Sequence, residues 1–158
     1  MSFMQLGMPF VVFSLGLAVA CQAGKNGGEI RPPVVAGKFY PESAAVLKSA
    51  IEKFMTSAAP AQAQTPLAIV VPHAGYIYSG QICADGYNQI RNGAYEVVVI
   101  LGTNHTAPNL QKIALFPGAG FRTPLGIVPV DEGIVAALIA ASPDSKADKA
   151  PHVREHSI

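Results

Sequence analysis

The clearest pattern of apolar and polar positions along the chain lies in residues 40–58, YPESAAVLKSAIEKFMTSA. Apolar residues recur there every three or four positions, which places them on one face of a helix. Pro41 and Ser43 precede the pattern, and both residue types are common at the first positions of helices. The pattern predicts an amphipathic helix with a stripe made of Val46, Leu47, Ala50, Ile51, Phe54 and Met55.

Two unbroken apolar runs of strand length follow this helix, LAIVV at residues 67–71 and YEVVVILG at residues 95–102. Runs without alternation are typical of strands that are covered on both faces, as in parallel sheets. Residues 80–93 lie between the two runs and carry Cys83 and Tyr87 at helical spacing. Strand, helix and strand in this order form a βαβ pattern, which predicts an α/β fold with a mainly parallel central sheet flanked by helices.

Shorter elements follow in the rest of the chain. Residues 112–118, KIALFPG, and residues 126–130, GIVPV, predict two strands, with FRTPLG as the turn between them. Residues 131–142 predict a helix that has Asp131 as its N-cap. The last segment is polar and has no periodicity, so we expect irregular chain from residue 143 onward.

The N-terminal segment has the pattern of an export signal. Residues 8–21, MPFVVFSLGLAVAC, are apolar and end in small residues, and they are shorter than the roughly 20 residues of a spanning helix. They predict a signal peptide over residues 1–21, whose AVAC end resembles a lipoprotein cleavage site with Cys21 as the lipidated residue. Residues 22–30 would then be a polar tether, and the protein would be anchored in the cell envelope. The alternative is an uncleaved apolar N-terminus and a cytoplasmic protein.

Composition narrows the choice of partners. The formal net charge is +1 and only 13% of the residues are charged, which argues against a nucleic-acid interface. Half of the residues are hydrophobic, which is typical of a globular domain. We therefore expect a small molecule or a peptide, rather than a nucleic acid, as the partner.

Two of the four histidines follow the two apolar runs directly. His73 comes after Pro72 at the end of the first run, and His105 comes after Asn104 at the end of the second. In an open α/β sheet, ligands bind outside the carboxyl ends of the strands. Two neutral imidazoles delivered to one edge could share a metal ion. From the residues alone, a metal site, an acid–base pair and a structural role for the loop histidines all stay open.

Five short motifs follow one another along residues 31–158. They are PPVVAGKFYP (32–41), VPHAGYIYSG (71–80), ILGTNH (100–105), RTPLGIVPVD (122–131) and REHSI (154–158). In sequence and order they resemble the motifs of the Memo family, whose bacterial and archaeal form is called AmmeMemoRadiSam system protein B. The resemblance implies an α/β sandwich similar to LigB-type class III extradiol dioxygenases, with a metal pocket at the strand ends.

The resemblance also implies roles for three histidines. His73 and His105 match the family's metal-binding motifs, so we expect a transition metal there, with iron first and copper or zinc as alternatives. His156 matches a further pocket histidine, which could act as an acid or base or orient a metal ligand. The family is longer than this chain, so the resemblance implies a fragment whose third metal ligand lies in a missing second half.

Five further residues have two possible roles each or give little indication of a role. Tyr76 and Tyr78 are predicted to alternate on an extended loop, where they could line the pocket or pack against other aromatic rings. Asn104 could orient a ligand or close a turn. Glu155 is the carboxylate nearest to a pocket histidine in sequence. His152 matches no motif, and we expect it to be a solvated loop residue.

Two functions follow from these observations. The first is a dioxygenase-like, non-haem metal-dependent oxidoreductase that acts on an unknown small or protein-linked substrate. The second is a non-enzymatic protein that kept the pocket to bind a ligand or peptide. The resemblance also implies a functional link to AMMECR1-like and radical SAM proteins.

Overall fold

The computed structural model describes residues 28–62, 64 and 66–157, and its architecture is α/β. Cys21 and the predicted signal peptide lie outside the described residues. The helices of the described part are α1 (Ala44–Thr56), α2 (Tyr76–Asn88) and α3 (Glu132–Ala141). Its strands are β1 (Ile30–Arg31), β2 (Ile113–Leu115), β3 (Gly120–Thr123), β4 (Gly126–Pro129) and β5 (Ser145–Ala147), and a 3₁₀ turn spans Ala150–His152. Within these described ranges, no helix has the length and apolar character needed to cross a membrane.

The strands form two small sheets in which parallel pairing is frequent. One sheet has the order β1-β3-β4, with β1 parallel and β4 antiparallel to β3. The other pairs β2 with β5 in parallel. The prediction of an α/β fold that contains parallel strands and flanking helices is therefore confirmed.

Helix α1 forms where the apolar stripe predicted it, and it packs against α2. Leu47 is buried in the core, whereas Val46 at the border of the stripe is largely exposed. The two helices approach closely at Gly80, where an added Cβ atom would lie 2.5 Å from the Phe54 ring. A residue without a side chain is therefore needed at this contact.

Helix α2 begins four residues before the predicted segment. Gly75 is its N-cap, and the backbone N–H of Tyr76 donates to the carbonyl of Phe39 at 2.8 Å. Tyr76 and Tyr78, which the sequence led us to place in an extended loop, instead lie in the first helical turn, so that prediction is wrong. The early start brings His73 close to the N-terminus of α2.

The two apolar runs do not form the predicted strands. Residues 67–71 and 95–102 take part in no strand pairing within the described part of the chain, and many of their side chains are exposed, with Val70 at 100%. A high β propensity is a property of side chains, and it cannot supply the neighbouring backbone that a strand needs for its hydrogen bonds. The strands of the described residues come from shorter segments instead.

In the second half of the chain, the turn before β4 is shorter than predicted, and α3 begins where it was predicted. Part of the FRTPLG segment belongs to β3, so the turn itself is confined to Pro124 and Leu125, with Gly126 at a φ of +138°. Helix α3 begins as predicted, because the Asp131 carboxylate accepts a hydrogen bond from the backbone N–H of Ile134 at 2.9 Å.

The polar segment after residue 143 is more regular than predicted. It contributes β5 and the 3₁₀ turn, and it folds back onto Phe116. His152 is half-buried there, with its ring 5.6 Å from that of Phe116 and its Nε2 atom 3.2 Å from the Ala114 carbonyl. The prediction of a solvated His152 is therefore wrong, because the pairing of β5 with β2 carries this turn onto an apolar ring.

Candidate metal centre

His73 and His105 meet although the segments that precede them are not paired strands. Their Nε2 atoms lie 3.3 Å apart, and their ring centroids are 5.1 Å apart. Both residues are exposed, so the two nitrogen atoms are accessible to solvent and solutes. The structure therefore brings together the two histidines that the sequence analysis singled out.

The separation of the two nitrogen atoms fits two ligands of one metal ion. Imidazole nitrogens bind zinc at about 2.0–2.1 Å, so two of them lie about 2.8–3.0 Å apart at adjacent octahedral positions and about 3.3–3.4 Å apart in a tetrahedral arrangement, a full range of about 2.8–3.4 Å. The observed 3.3 Å falls within this range. A hydrogen bond between the two rings has a similar length, so the surroundings of each ring must be considered too.

The Glu155 carboxylate determines which nitrogen of His105 faces His73. Its Oε1 atom lies 2.8 Å from His105 Nδ1, and its Oε2 atom accepts the backbone N–H of His105 at 2.7 Å. Because an ionised carboxylate can only accept, Nδ1 carries the proton and donates it. The Nε2 atom of neutral His105 is then unprotonated, with its lone pair available toward His73.

Glu155 is well suited to stay ionised. It is only 8% exposed, and burial by itself would raise its pKa. Hydrogen bonds from the ring and backbone of His105, and from the backbone N–H groups of His156 and Ser157, outweigh burial and hold the pKa of Glu155 well below its usual range. A permanently ionised carboxylate next to His105 favours the Nδ1–H form of that ring.

The His156 ring lies against the ring of His105. Its ring stacks on that of His105, with centroids 4.7 Å apart and planes 20° apart, and the Phe39 ring meets its edge at 5.4 Å. Its Nδ1 atom is 3.9 Å from Glu155 Oε1. His156 is thus held beside His105, at a distance from which it could exchange a proton with a group bound there.

The described residues contain a His/Glu group that could hold a metal ion. Ligand atoms of His105, Glu155 and His156 all lie within 4.8 Å of one another. In this set, however, Glu155 would have to give up its bond to His105 Nδ1 in order to bind an ion. In the pair formed by His73 and His105, the bond from Glu155 to Nδ1 of His105 stays intact and orients that ring, so we regard this pair as the better donor set.

The two candidates for pocket lining make local contacts. The Tyr76 ring packs 5.8 Å from the Tyr40 ring and 6.2 Å from the Phe54 ring, and burial raises the pKa of Tyr76. The Asn104 amide closes a turn with both the carbonyl and the N–H of Ala107, at 2.6 and 2.8 Å. Of the two roles that the sequence left open for each residue, Tyr76 therefore makes the contacts of aromatic packing, and Asn104 makes those of a closed turn.

Arg31 is a contributor that the sequence analysis did not identify. It is 7% exposed, its Nε atom donates to the His152 carbonyl at 2.7 Å, and its Nη2 atom donates to the Glu155 carbonyl. The residue immediately precedes the PPVVAGKFYP motif, but Glu155 is 124 positions away. No local pattern in the sequence connects two residues so far apart.

Comparison with known proteins finds a matching family model and several relatives of this chain. A protein-family model described as "Memo-like protein" matches residues 31–158. The relatives include three described as "MEMO1 family protein". The one from Methanobrevibacter smithii is 39% identical over 140 residues, which are 82% of this chain and 49% of the relative. The one from Thermotoga neapolitana is 38% identical over 140 residues (82% and 50%), and the one from Ignicoccus hospitalis is 37% identical over 139 residues (82% and 48%). The chain thus spans about half the length of the curated relatives it matches.

Proposed function

The chain belongs to the Memo-like protein family, and from this membership we propose that it is a metal-binding redox protein whose His73 and His105 side chains hold one transition-metal ion. The observation that carries the proposal is the 3.3 Å separation of the two Nε2 atoms, with the opposite nitrogen of His105 bonded to Glu155. A histidine ligand that donates its other N–H to a carboxylate is a recurrent arrangement at metal sites.

Each side chain of the centre has a role in this proposal. A bound transition metal supplies a Lewis acid and, if it is iron or copper, redox chemistry as well. Glu155 orients the His105 ring and keeps its proton on Nδ1. His156 accepts or donates a proton next to that ring, as the general acid or base of the reaction. We propose iron first, and copper or zinc as alternatives, because neutral imidazole binds all three.

The proposed reaction rests on the resemblance of the family to extradiol dioxygenases. We propose a dioxygenase-like oxidation of a small or protein-linked substrate, which could reach His73 and His105 because both residues are exposed. A functional link to AMMECR1-like and radical SAM proteins, and a lipid anchor at Cys21 in the cell envelope, remain part of the proposal.

Metal content and affinity test the proposal most directly. The purified protein is loaded with Fe(II) under anaerobic conditions, and with Zn(II) and Cu(II) in parallel, and bound metal is quantified by mass spectrometry and titration. We expect close to one equivalent in the wild-type protein, and a loss of at least about tenfold in affinity for His73→Ala and for His105→Ala. Lys48→Gln is the control, because Lys48 is an exposed residue of α1 whose ammonium group pairs with Glu52, and its replacement should leave binding unchanged.

Two results would contradict the metal site. The folded wild-type protein would bind no metal, or both alanine variants would bind it as tightly as the wild type. In the first case, a non-enzymatic binding role takes the lead. It is favoured by the exposed Ile77 and Tyr78 side chains on the first turn of α2, next to His73. Binding of an acidic peptide that His73→Ala weakens would then identify the pocket as a recognition site.

A further inference from the structure

The Arg31 guanidinium connects the N-terminal strand to the segment that carries Glu155 and His156. Arg31 ends β1, and its charge is buried under the Phe121 ring, whose centroid lies 5.3 Å away. A buried charge is costly unless its donors are hydrogen-bonded. Here Nε and Nη2 donate to two carbonyl oxygens of the same short segment, those of His152 and Glu155.

These two hydrogen bonds hold the backbone of the segment at two points three residues apart. A guanidinium presents its donors in a rigid fork, so two acceptors bound to it have a defined separation and direction. The backbone position of Glu155 is therefore set by Arg31, and its side chain reaches from that position to the His105 ring at 2.8 Å. A shift of the segment would lengthen this contact directly.

We propose that Arg31 is a positioning residue of the histidine centre, acting through Glu155 on the ring of His105. It does not touch the proposed metal. By fixing the Glu155 backbone, it keeps the carboxylate on Nδ1 and so leaves Nε2 of His105 as the free nitrogen toward His73. The consequence for metal affinity rests on the proposed function, whereas the consequence for the His105 proton applies to the metal-free protein as well.

A purely structural role for Arg31 makes a different prediction. If the guanidinium only joins β1 to the C-terminal segment, its loss lowers stability but leaves the proton of His105 where it is. The two roles are therefore distinguished by a measurement on the histidine ring rather than by unfolding alone.

The test uses Arg31→Lys and Arg31→Gln in the whole chain, with Arg122→Lys as the control. Lys keeps the charge without the fork, and Gln keeps a forked amide without the charge. Arg122 is exposed on β3, next to Phe121. Nitrogen NMR of the ¹⁵N-labelled, metal-free protein at about pH 8, where neutral histidine predominates, reports which ring nitrogen of His105 carries the proton. Zn(II) titration then measures affinity, and circular dichroism confirms folding.

We expect both Arg31 variants to move part of the His105 population to the Nε2–H form and to weaken Zn(II) binding by about 10- to 100-fold. The Arg122 control should match the wild type in both measurements. Because Arg31 acts through Glu155, the double variant Arg31→Gln/Glu155→Gln should bind Zn(II) no more weakly than Glu155→Gln alone.

The outcomes separate this inference from the proposed function. If the wild type binds no metal but the Arg31 variants still shift the His105 proton, the metal site fails and the positioning role stands. If the wild type binds metal and a folded Arg31 variant keeps the wild-type proton position and affinity, the positioning role is wrong. Additive losses in the double variant would also overturn it. Should Arg31→Gln fail to fold, Arg31→Lys alone decides between these results.

Discussion

The polar C-terminal segment, residues 143–157, and the apolar runs at 67–71 and 95–102 differ in how their groups find partners. The polar segment pairs one strand with β2, accepts hydrogen bonds from the buried Arg31 at two of its carbonyl oxygens, and buries Glu155. The apolar runs pair with no strand among the described residues and leave large side chains exposed. In this molecule, strand pairing and burial therefore depend more on the hydrogen-bond partners that a segment finds than on the hydrophobicity of its own residues.

The histidine centre draws on both regions. His73 and His105 follow the exposed runs, whereas Glu155 and His156 belong to the bonded segment. The carboxylate joins the two regions through His105. The polar segment thus orients the His105 ring through Glu155. The histidines that follow the apolar runs provide the nitrogen atoms that a ligand would contact.

Removing the ring on which the polar segment rests should have the largest effect on stability. Phe116 is 6% exposed and packs against the rings of Phe121 and His152. Phe116→Ala should lower the free energy of unfolding by about 3–5 kcal/mol, measured by urea denaturation, since it leaves a cavity. The control is Ile113→Ala in β2, which is exposed and should cost about 1 kcal/mol or less. Equal losses at the two positions would mean that the segment does not depend on this contact.

Acid should weaken the same region through His152. Burial lowers the pKa of His152, and the charge of Arg31 lowers it further, while the Ala114 carbonyl, Asp148 and Glu155 oppose the shift. The unfolded chain therefore takes up this proton more readily than the folded protein does. The stabilising contribution is complete above about pH 6.5 and is lost as the pH falls toward the lowered value.

Urea midpoints at a series of pH values between neutral and mildly acidic check this expectation. The wild type should lose stability across that window, and His152→Gln should show a shallower dependence because the titrating ring is gone. A variant with the same slope as the wild type would assign the pH dependence to other groups.

The smallest effect is expected in the apolar runs. Val70 is fully exposed and Val98 largely so. Val70→Thr and Val98→Thr should change the free energy of unfolding by no more than about 0.5 kcal/mol, as exposed substitutions usually do. Losses above about 1.5 kcal/mol in urea denaturation would show that these side chains are covered in solution, and would remove the contrast between the two regions.

How far the sequence could predict the fold depended on the range of the interactions. Helix α1 and the Asp131 cap of α3 were predictable, because their signals lie within one or two turns of the helix. The strands at 67–71 and 95–102 were not, since a strand depends on a partner that its own residues do not specify. The sequence could likewise single out His73 and His105, but not the state of their ring nitrogens.

The sequence by itself determined the local features of this protein: the amphipathic helix, the helix cap and the motifs that carry three histidines. Only the tertiary structure decided that Glu155 bonds to a histidine 50 positions away and that Arg31 bonds to the same segment across 124 positions. The physical reason is that hydrogen bonds between distant residues depend on how the chain folds back on itself. Such contacts leave no periodic pattern in the chain, and here they set the orientation of the proposed metal centre.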